Sequence, residues 1–364
     1  MAEKASSPKR ILVAPLDWGL GHATRCIPVI RELLETGCEV VIGADGAPAR
    51  LLAEEFPSLE RVTLPGYGIR YAPSAAGLAV RMIAQLPAIA RAIRRERRAL
   101  RSWLATHRLD AIISDNRFGL HVPGIPSVIM THQLEIRSPF GALSQRLLRR
   151  VNYRYIGRFD ECWVVDFPGA AGLAGELSHP SVLPSVPVQY LGCLSRLKPG
   201  AREKRLDLTV VISGPEPQRT LFNDMIDRQV RDTELRVLVV RGLPGDDAPP
   251  VHAGRVTTVS HLGTRELGEA LAESRLVLCR AGYTSVMELV SIGQKAFLVP
   301  TPGQTEQEYL AGYLTGRGYF PSAPQKGFRL QDALSQAAAF PFRAPEVPSM
   351  DGFREVIKRF VSSL

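Results

Sequence analysis

The feature that most restricts the fold is a short apolar run, residues 276–279, that ends abruptly in a turn of small residues. Four consecutive apolar residues are typical of a strand buried in a parallel sheet. The tripeptide 280–282 (Arg-Ala-Gly) follows, Thr284 stands where a helix would begin, and a second apolar run covers residues 296–299. This order of strand, turn, helix and strand is the repeating unit of an open α/β sheet, which binds ligands at the carboxyl ends of its strands.

The same stretch carries side chains suited to a nucleotide sugar. Small residues before a helix let backbone N–H groups approach a phosphate, and the helix N-terminus favours the phosphate charge. Glu288 lies one turn into the predicted helix, where its carboxylate can accept hydrogen bonds from a sugar ring. A polar cluster, residues 304–307, follows the second strand. Each feature alone is common in α/β proteins, so it is their order within one short stretch that indicates the ligand.

The stretch resembles the carboxy-terminal half of the MurG-like glycosyltransferases (family 28, GT-B fold). The resemblance implies two Rossmann-like doubly wound α/β domains that face each other across a cleft, with a C-terminal helix crossing back to the first domain. It also implies inverting transfer of a hexose or N-acetylhexosamine from a UDP-sugar to an acceptor hydroxyl. Tyr283 after the glycine, and Glu306 where a Gln is commoner, depart from the family pattern. The donor-binding roles that it implies here fall on Arg280, Gly282, Thr284, Glu288, Gln304, Glu306 and Gln307.

The composition fits a two-domain globular protein with an anionic partner. The chain has 364 residues, of which 45% are hydrophobic and 22% charged, and its formal net charge is +9. No apolar run is long enough for a spanning helix, and the start of the chain lacks the apolar region of a secretory signal. The five cysteines are scattered without a C-x-x-C pair, which argues against a disulfide framework or a zinc site. We therefore expect a cytoplasmic protein, with a peripheral position at the inner face of the membrane as an extension of that expectation.

The amino-terminal half opens with an apolar strand, residues 11–14, a glycine loop and a helical pattern over residues 26–34. His22 in this loop would lie at the carboxyl end of the first strand, where a near-neutral imidazole can take a proton from an acceptor hydroxyl. A capping or core histidine is the alternative. The loop resembles the G-x-x-G-H element of the family. It equally resembles the G-x-G-H-x-x-R-C element of the UDP-sugar hydrolases of pseudaminic acid synthesis.

Two further apolar strands, residues 111–114 and 127–130, deliver polar clusters to the same sheet edge if all three strands run parallel. Asp115 is predicted to orient His22 or an acceptor hydroxyl, as a carboxylate does in many acid–base pairs. The alternative is that these residues only cap the next helix. The predicted acceptor side consists of Asp17, Trp18, Asn116, Arg117, His132 and Gln133.

In the carboxy-terminal half, another strand ends in a small-residue loop that offers Ser213, Gly214 and Arg219 to the diphosphate. In relatives the position of Leu262 holds the uracil edge through its backbone, which makes Leu262 the predicted base-binding residue. No D-x-D pair is present, so neither a metal nor a cofactor is expected beside the UDP-sugar itself. The predicted domains are 1–196 on the acceptor side, joined by the helix 351–364, and 206–340 for nucleotide-sugar binding.

Arginine crowds a predicted helical region, residues 81–104, that is expected to be interrupted near Pro87. Such a surface is most simply a solvated helix face. The functional alternative is contact with anionic lipid headgroups, worth about 1 kcal/mol per basic residue near the surface. MurG-like enzymes use polyprenyl-linked acceptors, although this sequence does not identify its acceptor. Nucleic acid is not expected, because aromatic residues are not interleaved with the arginines.

Two other functions use the same residues. A UDP-sugar hydrolase would replace the acceptor by water, and a non-catalytic nucleotide-sugar-binding protein would keep the donor site and tolerate loss of His22.

Overall fold

The computed structural model describes residues 7–69, 75–231 and 233–364, and within them the chain forms two sheets flanked by helices. The first sheet has seven strands in the order β3-β2-β1-β4-β5-β6-β7, and every adjacent pair is parallel. Its central strands are buried along their length, as expected for short apolar runs covered on both faces. The strands are β1 Arg10–Pro15, β2 Glu39–Ala44, β3 Glu60–Thr63, β4 Ala111–Asp115, β5 Ser127–Thr131, β6 Glu161–Val164 and β7 Val188–Tyr190.

Four helices connect these strands: α1 Gly21–Glu35, α2 Gly46–Glu55, α3 Ala75–Leu104 and α4 Ala142–Ile156. Helix α3 runs through Pro87, so the expected interruption was wrong. Beyond the proline, Ile93 and Leu100 are buried against the rest of the unit, and this packing favours a continuous helix over a break. Helix α1 also begins earlier than its apolar pattern indicates, which places His22 in its first turn.

The second sheet has six strands in the order β10-β11-β9-β8-β12-β13 within the same described residues. All pairs are parallel except the β10–β11 hairpin at the edge, which the sequence did not predict. The strands are β8 Leu206–Val211, β9 Val237–Val240, β10 Val251–Ala253, β11 Val256–Val259, β12 Ser274–Cys279 and β13 Ala296–Leu298. The helices are α5 Gln218–Val230, α6 Thr264–Glu273, α7 Tyr283–Ser291, α8 Thr305–Gly316 and α9 Leu330–Ala339.

The last helix, α10 Gly352–Ser363, returns to the first unit and packs on α1. Its apolar face buries Ile357, and the Phe360 ring meets the Trp163 ring edge-on with 5.3 Å between centroids. On its polar side Arg354 forms ion pairs with Glu32 and with Glu35. The predicted crossing of the C-terminal helix and the two doubly wound sheets are thus confirmed.

The strand order of each sheet creates one crevice suited to a ligand. In the first sheet the order reverses between β1 and β4, and in the second between β8 and β12. Open α/β sheets bind ligands at such reversal points, outside the carboxyl ends of the strands. The two units are packed together, because residues of α1 and of α7 belong to one contiguous apolar cluster.

Candidate active site

His22 and Asp115 meet at the reversal point of the first sheet. His22 follows β1 in the first turn of α1, and Asp115 is the last residue of β4. The His22 Nδ1 atom lies 3.1 Å from Asp115 Oδ2. Asp115 is fully buried, whereas 14% of the His22 side chain is exposed. The two predicted catalytic residues are therefore in hydrogen-bonding contact, as an imidazole and its orienting carboxylate are in acid–base pairs.

Arg25, one turn further along α1, holds this pair in place. Its guanidinium is 1% exposed and forms a close ion pair with Asp115, and its Nε donates to Asp115 Oδ2 at 2.7 Å. A terminal nitrogen of the same guanidinium donates to His132 Nδ1 at 2.8 Å. Arg25 was not among the predicted site residues. The early start of α1 puts it on the same helix face as His22, three residues away.

The protonation states follow from these contacts. Although burial opposes it, the charges of Arg25 and His22 lower the pKa of Asp115 to about 2, so the carboxylate is ionised. An ionised carboxylate can only accept, which favours the tautomer of His22 with its proton on Nδ1. A terminal nitrogen of Arg25 lies 2.8 Å from the same Nδ1 and can only donate, which favours the tautomer with the proton on Nε2. Burial lowers the pKa of His22, the charge of Asp115 counteracts this in part, and Arg25 lowers it further. His22 is thus a neutral imidazole, and its Nε2 has a free lone pair in the tautomer that donates from Nδ1 to Asp115.

His132 links this cluster to the second unit. Because its Nδ1 accepts from Arg25, its proton lies on Nε2, which donates to Glu306 on α8 at 2.9 Å. The His132 ring also stacks on the ring of Tyr283, with 4.7 Å between centroids. Burial would raise the pKa of Glu306, but His132, His22 and Arg25 together lower it. A predicted acceptor-side residue and a predicted donor-side residue are therefore joined across the two units.

The turn after β12 faces the loop that carries His22. Thr284 Oγ1 donates to the backbone oxygen of Gly21 at 3.2 Å. A Cβ on Gly21 would lie 2.9 Å from Thr284 Oγ1, so only glycine permits this approach. Gly282 is the N-cap of α7, and the space beside its Cα is open apart from Ser285 at 4.0 Å. The turn predicted to hold a diphosphate thus lies opposite the His22 loop, with its helix N-terminus available.

Glu288 is held by a residue that the sequence did not single out. Arg196, between the two sheets, donates from Nε to Glu288 Oε1 at 2.9 Å and from a terminal nitrogen to Thr264 Oγ1 at 3.3 Å. Arg196, His261 and Thr264 line a cleft of about 750 Å³. Leu262, the predicted base-binding residue, lies between two lining residues of this cleft. The predicted ribose and base positions are therefore close to one cavity of nucleoside size.

The other predicted donor residues lie in the two loops beside this turn. Gly214, after β8, has φ +106°, which a side chain would disfavour, and Ser213 next to it is half-buried. The Arg219 guanidinium pairs with Glu216 and is half-buried. Gln307 uses its side-chain oxygen to accept from the Thr301 N–H at 2.8 Å, which shapes the loop after β13. Gln304 is the N-cap residue of α8.

Two predicted contact residues have structural partners instead. The Arg280 guanidinium is buried, donates to the carbonyls of Val299, Pro300 and Gln218, and lies 4.0 Å from the Phe222 ring centroid. Burial lowers the pKa of Arg280 to about 9. It joins strand ends below the turn and does not reach the cleft. Arg117 is fully buried as well, where it pairs with Glu96 and donates to the Pro65 carbonyl at 2.8 Å.

Of the remaining residues predicted on the acceptor side, two have structural contacts and two lie at the ends of strands. Asp17 accepts from the backbone N–H groups of Tyr67 and Gly68 at 2.9 and 3.2 Å, so it anchors a loop. Trp18 packs against the apolar cluster that contains Leu16 and Ile93. Asn116, with φ +57°, and Gln133 are half-buried at the ends of β4 and β5. The acceptor contact of these last two residues stays a prediction.

The described parts of the chain contain no group of three or more His, Cys, Asp or Glu side chains arranged to hold a metal ion. The absence of a metal from the reaction stays a prediction. Among the helices of those parts, none is long and apolar enough to cross a membrane.

Comparisons with known proteins agree with this geometry. The model of the glycosyltransferase family 28 C-terminal domain matches residues 252–359. The UDP-N-acetylglucosamine--N-acetylmuramyl-(pentapeptide) pyrophosphoryl-undecaprenol N-acetylglucosamine transferase of Acidiphilium cryptum (strain JF-5) is 25% identical over 308 residues, which cover 82% of this chain and 79% of that protein. The transferase of the same name from Nitratidesulfovibrio vulgaris (strain DP4) is 42% identical over 69 residues, or 18% of this chain and 19% of that one.

Solved structures show the same fold at low sequence identity. The glycosyltransferase SnogD from Streptomyces nogalater has a TM-score of 0.60 and 16% identity, and the match covers 98% of this chain and 99% of that chain. The MurG of Acinetobacter baumannii has a TM-score of 0.55 and 15% identity, again covering 98% and 99%.

The fold is that of the GT-B glycosyltransferases, and the match to a family 28 domain supports a UDP-sugar-dependent glycosyltransferase. Residues 252–359 match the family 28 C-terminal domain, and the chain as a whole is similar to the MurG-like transferases, as its sequence resemblance implied. Its relatives are named as transferases, which favours transfer over the hydrolase and the non-catalytic alternatives.

The geometry predicts that Arg25 is essential to the site and costly to remove. Replacing it by Gln leaves Asp115 as a buried charge without its cation, so Arg25→Gln should lower the free energy of unfolding by about 3–5 kcal/mol. Arg31→Gln, in the same helix, breaks only a half-exposed ion pair with Glu55 and should cost less than about 1 kcal/mol. Urea denaturation at pH 7 measures both. Equal losses would contradict the role of Arg25.

Proposed function

We propose that the protein moves a hexose or an N-acetylhexosamine from a UDP-sugar to an acceptor hydroxyl, with inversion and without a metal ion. The observation that carries the proposal is the position of the neutral His22 imidazole. It lies in the first turn of α1, next to Gly21, whose carbonyl accepts a hydrogen bond from Thr284 in the first turn of α7. A base and a diphosphate site therefore face the same crevice.

In this mechanism the acceptor hydroxyl loses its proton to His22 Nε2 as its oxygen attacks the anomeric carbon. The bond from that carbon to the diphosphate breaks, and UDP leaves with the electron pair. Asp115 stabilises the imidazolium that forms, and the N–H groups at the start of α7 stabilise the leaving diphosphate. Glu306, held by His132 beside His22, is placed to accept hydrogen bonds from the transferred sugar.

Removing the base should abolish transfer without loss of donor binding. His22→Ala is expected to lower the transfer rate by about 10²–10⁴, which is the usual contribution of general base catalysis. UDP affinity, measured by calorimetry, should stay near that of the intact protein, because His22 belongs to the other unit. The acid limb of the intact enzyme's pH–rate profile should lie below pH 6.5, since burial lowers the pKa of His22 and only the neutral imidazole acts as a base.

A screen of UDP-sugars with membrane extracts as the acceptor source measures this rate. Release of free sugar at the same rate without any acceptor would instead identify a hydrolase. Full activity of His22→Ala would exclude the proposed base. Activity is expected to persist in EDTA.

Glu288 tests the donor half of the site separately. We propose that its carboxylate, oriented by Arg196, accepts hydrogen bonds from the ribose hydroxyls. The intact protein should therefore bind UDP more tightly than 2′,3′-dideoxy-UDP, and Glu288→Ala should lose this preference, at a cost of about 1.5–3 kcal/mol in UDP binding. Calorimetry with both nucleotides gives the comparison. An unchanged preference in the variant would remove Glu288 from ribose binding.

We further propose that the acceptor is lipid-linked and that α4 touches an anionic membrane surface. Leu143, Leu147 and Val151 recur every four residues on α4 and are 80%, 62% and 46% exposed. Arg150 and Arg154 are exposed on the same face of the helix. An apolar stripe flanked by arginines on an interfacial helix is typical of peripheral membrane binding. The named acceptor of the Acidiphilium cryptum relative, a pyrophosphoryl-undecaprenol derivative, supports this class of acceptor.

The α4 surface predicts a vesicle-binding defect that leaves the cleft intact. Leu143→Glu combined with Leu147→Glu should reduce binding to phosphatidylglycerol vesicles by about tenfold or more, because buried apolar area is lost and acidic charge is added. Leu221→Glu, at an exposed leucine of α5, is the matched control and should bind as the intact protein does. Co-sedimentation measures both. Equal binding by all three proteins would exclude α4 as the membrane contact.

A further inference from the structure

Four basic side chains lie near one another on the first unit, brought together by α3, the loop after β4 and the end of α4. Arg97 and Arg101 lie one turn apart on α3, His121 follows β4, and Arg158 follows α4. We name these four residues the arginine cluster. A guanidinium nitrogen of Arg97 lies in close contact with His121 Nε2. The Arg158 guanidinium lies over the Tyr155 ring, 4.6 Å from its centroid.

Arg97 is incompletely satisfied by the protein. Its Nε is buried and has no hydrogen-bond partner among the residues that the structure describes. Over those same residues, none of the three guanidinium groups forms an ion pair with a carboxylate. A buried N–H group without a partner costs free energy, and it costs more when the group is charged. The side of Arg97 that faces the cluster therefore lacks an acceptor.

The charges in the cluster repel one another. Burial, followed by the charges of Arg158 and Arg101, lowers the pKa of Arg97. Burial and the charges of Arg97, Arg158 and Arg101 lower the pKa of His121 to about 4, and Asp160 opposes this only weakly. His121 is therefore neutral at physiological pH. Its ring is fixed by an edge-on contact with Phe159, at 5.5 Å between centroids.

The nearest carboxylates are bound elsewhere. Glu96, next to Arg97 in the chain, pairs with the buried Arg117 and accepts from the Gly119 N–H at 2.8 Å. Asp160 accepts from both the N–H and the hydroxyl of Ser127, at 2.7 and 2.9 Å. Neither side chain can turn toward the arginines without leaving a buried donor unpaired. The protein thus supplies three guanidinium groups to one surface site and no counter-charge.

We propose that the arginine cluster is a binding site for a phosphate group. Guanidinium groups bind phosphate oxygens with paired, charge-assisted hydrogen bonds, and several converging on one point favour a tetrahedral dianion over a carboxylate. The unpartnered Arg97 Nε supplies an inner donor, and Arg101 and Arg158 supply outer ones. The pKa of His121 rises when the anion neutralises the charges of Arg97, Arg101 and Arg158.

Position suggests two sources for the phosphate. Arg158 stands just beyond the C-terminal end of α4, the helix that carries the exposed Leu143, Leu147 and Val151. A phospholipid whose chains lie along α4 would place its headgroup phosphate near the cluster. A soluble phosphate ester would use the same donors without α4. The site depends on neither the donor crevice nor the transfer reaction.

The test compares two triple variants with the same change in net charge. Arg97→Gln/Arg101→Gln/Arg158→Gln removes the cluster, and Arg91→Gln/Arg94→Gln/Arg98→Gln removes three exposed arginines of α3 outside it. In low-salt buffer with UDP saturating the donor site, inorganic phosphate should raise the melting temperature of the intact protein and of the control. The cluster variant should bind at least about tenfold more weakly. It should also melt no lower than the intact protein without phosphate, since like-charge repulsion is relieved.

His121 provides a local readout. The NMR signal of His121 is assigned by its loss in His121→Gln. The pKa obtained from its titration should rise from about 4 when phosphate is added to the intact protein. If phosphatidylglycerol vesicles block the response of His121 to phosphate, and vesicles of phosphatidylcholine with neutral glycolipid do not, the ligand is a lipid headgroup. A response to free phosphate that vesicles leave unchanged identifies a soluble ester. No response of His121 to either, or equal phosphate stabilisation of both triple variants, would overturn the proposal.

Discussion

The buried ion pair between Arg25 and Asp115 is the interaction on which the rest of the site depends. A carboxylate at the end of a central strand would be neutral if burial acted alone, and a neutral acid could not hold His22 in the tautomer that leaves Nε2 free. The guanidinium keeps Asp115 ionised and at the same time fixes the neutral tautomer of His132. One residue of α1 therefore contacts the Nδ1 atoms of both imidazoles in the crevice as well as the carboxylate between them.

The same arrangement couples the chemistry to the approach of the two units. His132 donates to Glu306 only when α8 lies against the end of β5, and Thr284 reaches the Gly21 carbonyl only when α7 lies against α1. Both contacts cross between the sheets, and both involve residues adjacent to His22 or held by Arg25. A movement that separates the units would release Glu306 and open the diphosphate turn together. Domain closure in two-domain enzymes commonly completes a site in this manner.

The sequence could predict those features that depend on residues close together in the chain, and not those that depend on residues far apart in it. The strands, the two reversal points, and the placement of His22 and Asp115 at one of them depend on apolar runs and on the loops directly after them. The partners of arginine are not local. Arg25 meets Asp115 from 90 residues away, and Arg196 meets Glu288 from 92 residues away. Arg280 and Arg117 stand in suitable loops, yet their side chains turn inward to carbonyls and to Glu96. Nothing in the local pattern distinguishes those two from residues that face the crevice.

The net charge of +9 therefore says less about ligand binding than the positions of the individual arginines do. Arg25, Arg117, Arg196 and Arg280 are buried, and each is neutralised or hydrogen-bonded by the protein itself, so they contribute to architecture and not to attraction of a ligand. Arg97, Arg101 and Arg158 of the arginine cluster form no ion pair with a carboxylate among the described residues, and repulsion between them costs stability. A protein keeps like charges close together at a cost when something outside the chain supplies the opposite charge. What sets the arginine cluster apart from Arg280, whose Nε is also unpaired, is that Arg280 donates to three carbonyls whereas the cluster gathers three guanidinium groups without a carboxylate.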